Sequence, residues 1–104
     1  MKLITKAIER KLRKNHDSNA TNKVAPLKLF DPYGRWTLYV FDIAEDGDTM
    51  FGFAVSPLGA DCDEWGCSSL AEVSSVKSFG RPRIERDKYF DGVTSEAINN
   101  GARP

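Results

Sequence analysis

At 104 residues, with 40% hydrophobic and 29% charged positions, the chain has room for one small core and is too short for a multi-domain machine or a large enclosed active site. Fifteen basic and fifteen acidic residues cancel to a formal charge of +0 at pH 7, so no overall field draws the protein to nucleic acid or to an acidic membrane. Two cysteines, Cys62 and Cys67, are not needed to staple a chain this rich in aromatic residues, and reduced thiols are expected.

The first residues carry positive charge, but Glu9, Arg10 and Lys11 interrupt any apolar stretch of secretory length, so no signal peptide is expected. Residues 36–43, the longest nearly uncharged apolar stretch, are broken by Asp42 and fall far short of the roughly 20 needed to span a bilayer. These features lead to the expectation of a soluble, cytoplasmic protein with no membrane attachment.

Ile4, Ile8 and Leu12 recur every four residues among lysines and arginines, which predicts a basic amphipathic helix capped by Thr5 and ending near Asn15. The polar run 15–22 has no apolar period and is expected to be a loop. Residues 24–30 read as a strand in which Pro26 cannot donate to a ladder and so marks an edge or a strand start. After a turn at 31–34, residues 35–43 form the strongest strand signal. Trp36, Leu38 and Val40 are expected on one face and Tyr39, Phe41 and Ile43 on the other, so this strand should be central. Asp46-Gly47 signals a hairpin into residues 50–55, with Phe51, Phe53 and Val55 on one side and the small Gly52 and Ala54 on the other. Trp36, Tyr39, Phe41, Phe51 and Phe53 are expected to form the core against the first helix.

Residues 56–66, with one proline, two glycines and three acids, read as a long connection with a mobile tip. Ser69-Leu70-Ala71-Glu72 fits a capping box opening a second, short helix that runs to Val73 or Val76. Residues 83–90 extend the sheet or form a short irregular run, and residues 94–104 read as a polar, frayed tail beyond a single domain at 1–93. The expected architecture is α+β: an N-terminal amphipathic helix packed on a small, mainly antiparallel sheet, with the second short helix.

Taken in order, Leu3-Ile4-Thr5-Lys6, Leu29-Phe30-Asp31-Pro32, Trp36-Thr37-Leu38-Tyr39, Phe51-Gly52-Phe53, Gly66, Ser69-Leu70-Ala71-Glu72-Val73 and Ile84-Glu85-Arg86-Asp87-Lys88-Tyr89-Phe90 resemble the domain of unknown function family 2958. The run Ile84 to Phe90 is the most specific of these pieces. The resemblance implies a small single-domain protein of plasmids, phages or integrative elements, with no catalytic residues to carry over. Cys67 and Ser68 depart from the family pattern, where aromatic residues are common, as does the long acidic stretch before Gly66.

Charge is segregated along the chain. Residues 1–28 hold eight basic and two acidic side chains, residues 31–72 one basic and nine acidic, and residues 73–104 six basic and four acidic. The acids Asp42, Glu45, Asp46, Asp48, Asp61, Asp63 and Glu64, with Trp65 as an indole anchor, could present a carboxylate surface to a basic protein. The bland alternatives are acids that merely solvate two loops and a Trp65 folded over the sheet as a lid. A basic set could instead neutralise phosphates: Lys6, Arg10 and Lys14, with Lys2, Lys11 and Arg13 on the same helix, and Arg81, Arg83 and Arg86 later in the chain. Its bland counterpart is a solvated helix face.

Calcium is not expected, because residues 42–48 lack the loop spacing and the bidentate Glu at the twelfth position. Zinc is not expected from two cysteines four residues apart and the lone His16. With His16 in a loop, no nucleophile has an evident base, while Glu85 and Asp87, among Arg83, Arg86 and Lys88, suit structural pairing better than proton transfer. The expectation is therefore a non-enzymatic protein-binding module without cofactor or metal. In the mobile-element setting it would inhibit a host-defence protein, anti-restriction or anti-CRISPR in kind, by occupying its surface. The alternative is a nucleic-acid-binding accessory factor using the basic helix; a carboxylate hydrolase or transferase is a third reading.

Overall fold

The computed structural model describes residues 3–104. Helix α1, Lys6–Asp17, starts at Thr5, whose hydroxyl accepts from the Ile8 amide at 3.2 Å, a cap worth about 1 kcal/mol. It runs two residues beyond Asn15 because the Asn15 side chain is used rather than stranded. Its Nδ2 lies on the stripe that continues Ile8 and Leu12 and donates to the carbonyls of Val24 and Phe41, both at 2.9 Å.

Pro26 divides the predicted strand at 24–30 into β1 (Val24–Ala25) and β2 (Leu27–Phe30). Lacking an N–H, it is the point where the chain leaves one sheet for another. β2 joins β3 (Thr37–Ile43), β4 (Thr49–Val55), β5 (Glu64–Ser69) and the two-residue β8 (Glu85–Arg86) in an antiparallel sheet of order β5-β4-β3-β2-β8. β3 is central, as its two apolar faces require. β5 replaces the final part of the expected connection: Trp65, half-buried, pairs with Phe53 across the ladder, and the residues before the strand include a short 3-10 helix, Ala60–Cys62.

After β5, the short helix α2 (Leu70–Ser75) begins where the capping box predicts, with Ser69 Oγ accepting from the Glu72 amide at 3.2 Å. Asp48 completes the cap from the neighbouring hairpin, taking the Ser69 hydroxyl at 2.7 Å and the Ala71 amide at 2.8 Å. β6 (Lys77–Ser78) and β7 (Arg81–Pro82) form a separate hairpin that turns at Phe79-Gly80, with Phe79 fully exposed at φ 54.

Both faces of the main sheet are covered. Leu38, Val40, Ile43, Met50, Leu27 and Leu29 pack with Leu12 of α1. Tyr39, Phe41 and Phe53 form a second cluster on the opposite face, away from α1. This corrects the expectation of an aromatic core under the first helix; of that set, Trp36 alone joins the helix-side cluster. Ile43 also changes sides, because the β3–β4 register slips between Val40 and Asp42 and the extra residue restores Ile43 to the Leu38 face.

The second aromatic face is closed by the segment expected to fray. β9 (Val93–Thr94) pairs with β1, Thr94 caps α3 (Ser95–Asn99), and Ile98 is 1% exposed beside Ala97 and Ala102. The polar composition of residues 94–104 concealed this, since Ile98 with its small neighbours suffices to cover a face that otherwise meets water.

Candidate functional site

The register slip in β3 determines the main site. A bulge sets two residues against one, so Phe41 and Asp42 together oppose Phe51, and all three line one open cleft. Trp65 of β5 forms the wall with Phe51, the two rings stacked at 13° with centroids 5.7 Å apart, while Phe41 lies 5.0 Å from the indole. The Trp65 N–H donates to Asn99 Oδ1 at 2.9 Å, which joins α3 to the aromatic wall. Asn22 ties the far rim: its Oδ1 accepts from the Ser95 hydroxyl at 3.1 Å and the Glu96 amide at 2.9 Å. The resulting volume of about 510 Å³ is in the range of small-ligand sites.

Two acidic residues, Asp42 and Glu96, line this cleft. Glu96 is exposed, and Asp42, with its side chain 17% exposed, has Oδ1 at 3.3 Å from His16 Nδ1. His16, expected in a loop, occupies the last turn of α1 and borders a separate recess of about 100 Å³ with Arg13, Asp17 and Glu45. Chemically, the cleft offers aromatic faces and anionic acceptors, a combination suited to a cation.

The remaining predicted acids do not share this surface. Asp46 and Asp48 lie at one end of β4, Asp61, Asp63 and Glu64 near the other, separated by roughly 20 Å of strand. Three of them are used internally. Asp48 caps α2, and Asp63 accepts from the Ser56 amide at 2.7 Å and faces Arg103 at 3.7 Å. Asp46 accepts from the Thr49 amide at 2.9 Å, the Thr49 hydroxyl at 2.7 Å and the Asp48 amide at 2.8 Å. Glu45, Asp61 and Glu64 are exposed. Trp65 is a half-buried lid over Phe41, Phe51 and Phe53, as the bland reading had it, rather than a free anchor in a loop.

The Thr49 bonds, and after them the Asp48 amide, lower the Asp46 carboxyl to about 2 from the ordinary 3.8. Arg83, hydrogen-bonded to both oxygens of Asp31 at 2.8 and 2.9 Å, likewise lowers Asp31. A carboxyl depressed by folding stabilises above its unfolded value and loses that contribution as pH falls through its folded one. The melting temperature is therefore expected to drop between about pH 4 and 2. In circular-dichroism melts across this window, Asp46→Asn should show a shallower drop than wild type, and parallel curves would refute the assignment.

The predicted basic set also separates. Lys6, Arg10 and Lys14 are exposed on α1, and Arg81 is exposed on β7, whereas Arg13 pairs with Glu9 at 2.9 Å. Arg83 is held by Asp31, and Arg86 Nη1 donates to the Leu3 carbonyl at 3.1 Å, so both brace the fold. Lys2 lies outside the described residues. Asp87 meets Lys28 at 3.6 Å, a partner from β2 rather than from its own segment.

Sequence reasoning placed Phe51 in the core, where it is 38% exposed, and missed Asn22, Ser95, Glu96 and Asn99. Thr94 ahead of Ser95-Glu96-Ala97-Ile98 was the available signal, a capping residue preceding a buried aliphatic. Cys62 and Cys67 are free and exposed. Among the described residues no three His, Cys, Asp or Glu side chains converge as metal ligands, and no helix is long and apolar enough to cross a membrane.

One family model, described as "Protein of unknown function (DUF2958)", matches residues 3–99. No curated protein and no solved structure matches the chain.

Proposed function

Because the chain belongs to the DUF2958 family, whose description states no activity, we propose a role from its own surface: a non-enzymatic protein-binding module that acts through the cleft of Phe41, Asp42, Phe51 and Trp65. The observation that carries this reading is Phe51. It is a phenylalanine left 38% exposed and stacked on Trp65 in a cleft that Asp42 and Glu96 also line, the kind of aromatic anchor on which protein contacts concentrate their affinity. The openness of the cleft favours binding over proton transfer, which works best where water is excluded. In a mobile-element setting, the partner would be a host-defence protein of the restriction or CRISPR kind, whose nucleic-acid groove is rich in lysine and arginine and complements the cleft.

The test is capture from host lysate at low salt with wild type, Phe51→Ala and a triple variant Lys6→Glu, Arg10→Glu, Lys14→Glu. The expected result is one partner protein held by wild type and the triple variant, and held at least about tenfold more weakly by Phe51→Ala. Retention that ignores Phe51 overturns the reading. DNA binding that declines with salt and vanishes in the triple variant would instead establish the nucleic-acid accessory role for the exposed face of α1.

A further inference from the structure

We propose that the cleft is a receptor for a guanidinium group, so that the partner enters it with an arginine side chain; this rests on the protein-binding reading and names the ligand of the same site. The aromatic wall is the first reason. Phe51 and Trp65 are stacked, at 13° with centroids 5.7 Å apart, and Phe51 is 38% exposed, so the stack leaves part of the Phe51 ring open as a π surface. A planar guanidinium stacks flat on such a surface, whereas an ammonium meets it as a compact, strongly hydrated point charge.

The acceptors are the second reason. Asp42 is brought beside Phe41 by the bulge, and Glu96 stands on α3, so the carboxylates come from two different walls. Only one Asp42 oxygen is directed at His16, and at 3.3 Å that contact leaves the carboxylate acceptor capacity. Five N–H donors in a rigid fork can serve acceptors on two sides at once; a lysine carries its three donors on a single nitrogen. The cleft's own cation, Lys23, does not fill this role, because its Nζ donates to the Asn15 carbonyl at 2.7 Å.

The third reason is an internal precedent on the same sheet face. The Arg103 guanidinium lies 4.6 Å from the centre of the Phe53 ring, with Nε 3.7 Å from Asp63 Oδ2. Phe53 also meets Trp65 edge-on at 5.2 Å, so Trp65 stands between two aromatic positions of β4. At Phe53 the ring and carboxylate pair holds an arginine of this chain. Two residues along the strand, Phe51 and Asp42 repeat the pair in an open cleft.

The test titrates ¹⁵N-labelled protein with three blocked tripeptides: acetyl-Gly-Arg-Gly-amide, its lysine counterpart, and the citrulline counterpart, which keeps the planar shape without the charge. The arginine peptide is expected to shift the Trp65 indole N–H and the Phe51 amide, with a Kd on the order of 1 mM, leaving the Trp36 indole unmoved. Lysine should bind at least about fivefold more weakly, and citrulline should not saturate. Asp42→Asn and Glu96→Gln should each weaken the arginine response, and Phe51→Ala should do the same where its spectrum is otherwise that of wild type. Absence of shifts at Trp65 and Phe51, or equal responses to the three peptides, would overturn the guanidinium assignment. Because the titration needs no partner, that failure is separable from a failure of lysate capture.

Discussion

Gly52→Ala should lower the stability of the protein by about 3 kcal/mol or more, a fall of roughly 15 °C in melting temperature. A Cβ added at Gly52 would sit 2.1 Å from the Tyr39 carbonyl oxygen and 3.0 Å from its carbon, both backbone atoms of the central strand. No side-chain rotation relieves such a contact, so β3 and β4 would have to separate beside the bulge that presents Phe41 and Asp42. The cross-strand partner provides the control: Gly52 faces Gly66, where an added Cβ meets nothing within 4 Å. Gly66→Ala should therefore melt within a few degrees of wild type. Equal melting temperatures for the two variants would show that the close approach of β3 to β4 is not as described.

The second large effect is expected at Ile98. Truncation of this 1% exposed side chain to alanine should cost about 2 to 4 kcal/mol, because it leaves a cavity between α3 and the Tyr39-Phe53 face that surrounding atoms fill only partly. The loss should reach the cleft as well, since α3 carries Asn99, the acceptor for the Trp65 indole, and Glu96. Urea unfolding followed by circular dichroism measures the first effect, and the Trp65 indole resonance reports the second. A stability change under about 0.5 kcal/mol would mean that this segment contributes little, as a frayed tail would.

These two sites illustrate which parts of the fold were legible beforehand. Gly52 between Phe51 and Phe53 was visible as a small residue in a strand, but the carbonyl it accommodates belongs to another strand, so the reason for its smallness was not. Ile98 is a single aliphatic in a polar stretch, and periodicity needs several. Trp65 shows the same limit: acids and glycine around it suggested a loop, whereas pairing with β4 made it a strand residue. Local chemistry was more readable. Thr5, Ser69 and the Asp46-Gly47 turn act as their sequence context implies, because each satisfies backbone groups within three residues of itself.

By itself, the amino-acid sequence determined the α+β class, the capped amphipathic helix, the central strand and the family, all of which follow from short-range periods, caps and ordered local motifs. Tertiary structure decided which charges are spent and which are available. Asp46, Asp48, Asp63, Arg83 and Arg86 were withdrawn from the two predicted surfaces by partners, while Asp42 was moved beside Phe41 by one extra residue in β3. The reason is physical: a charged side chain carries no local sign of whether another element will supply its hydrogen bond, and a bulge arises from the fit of two strands rather than from the pattern of either.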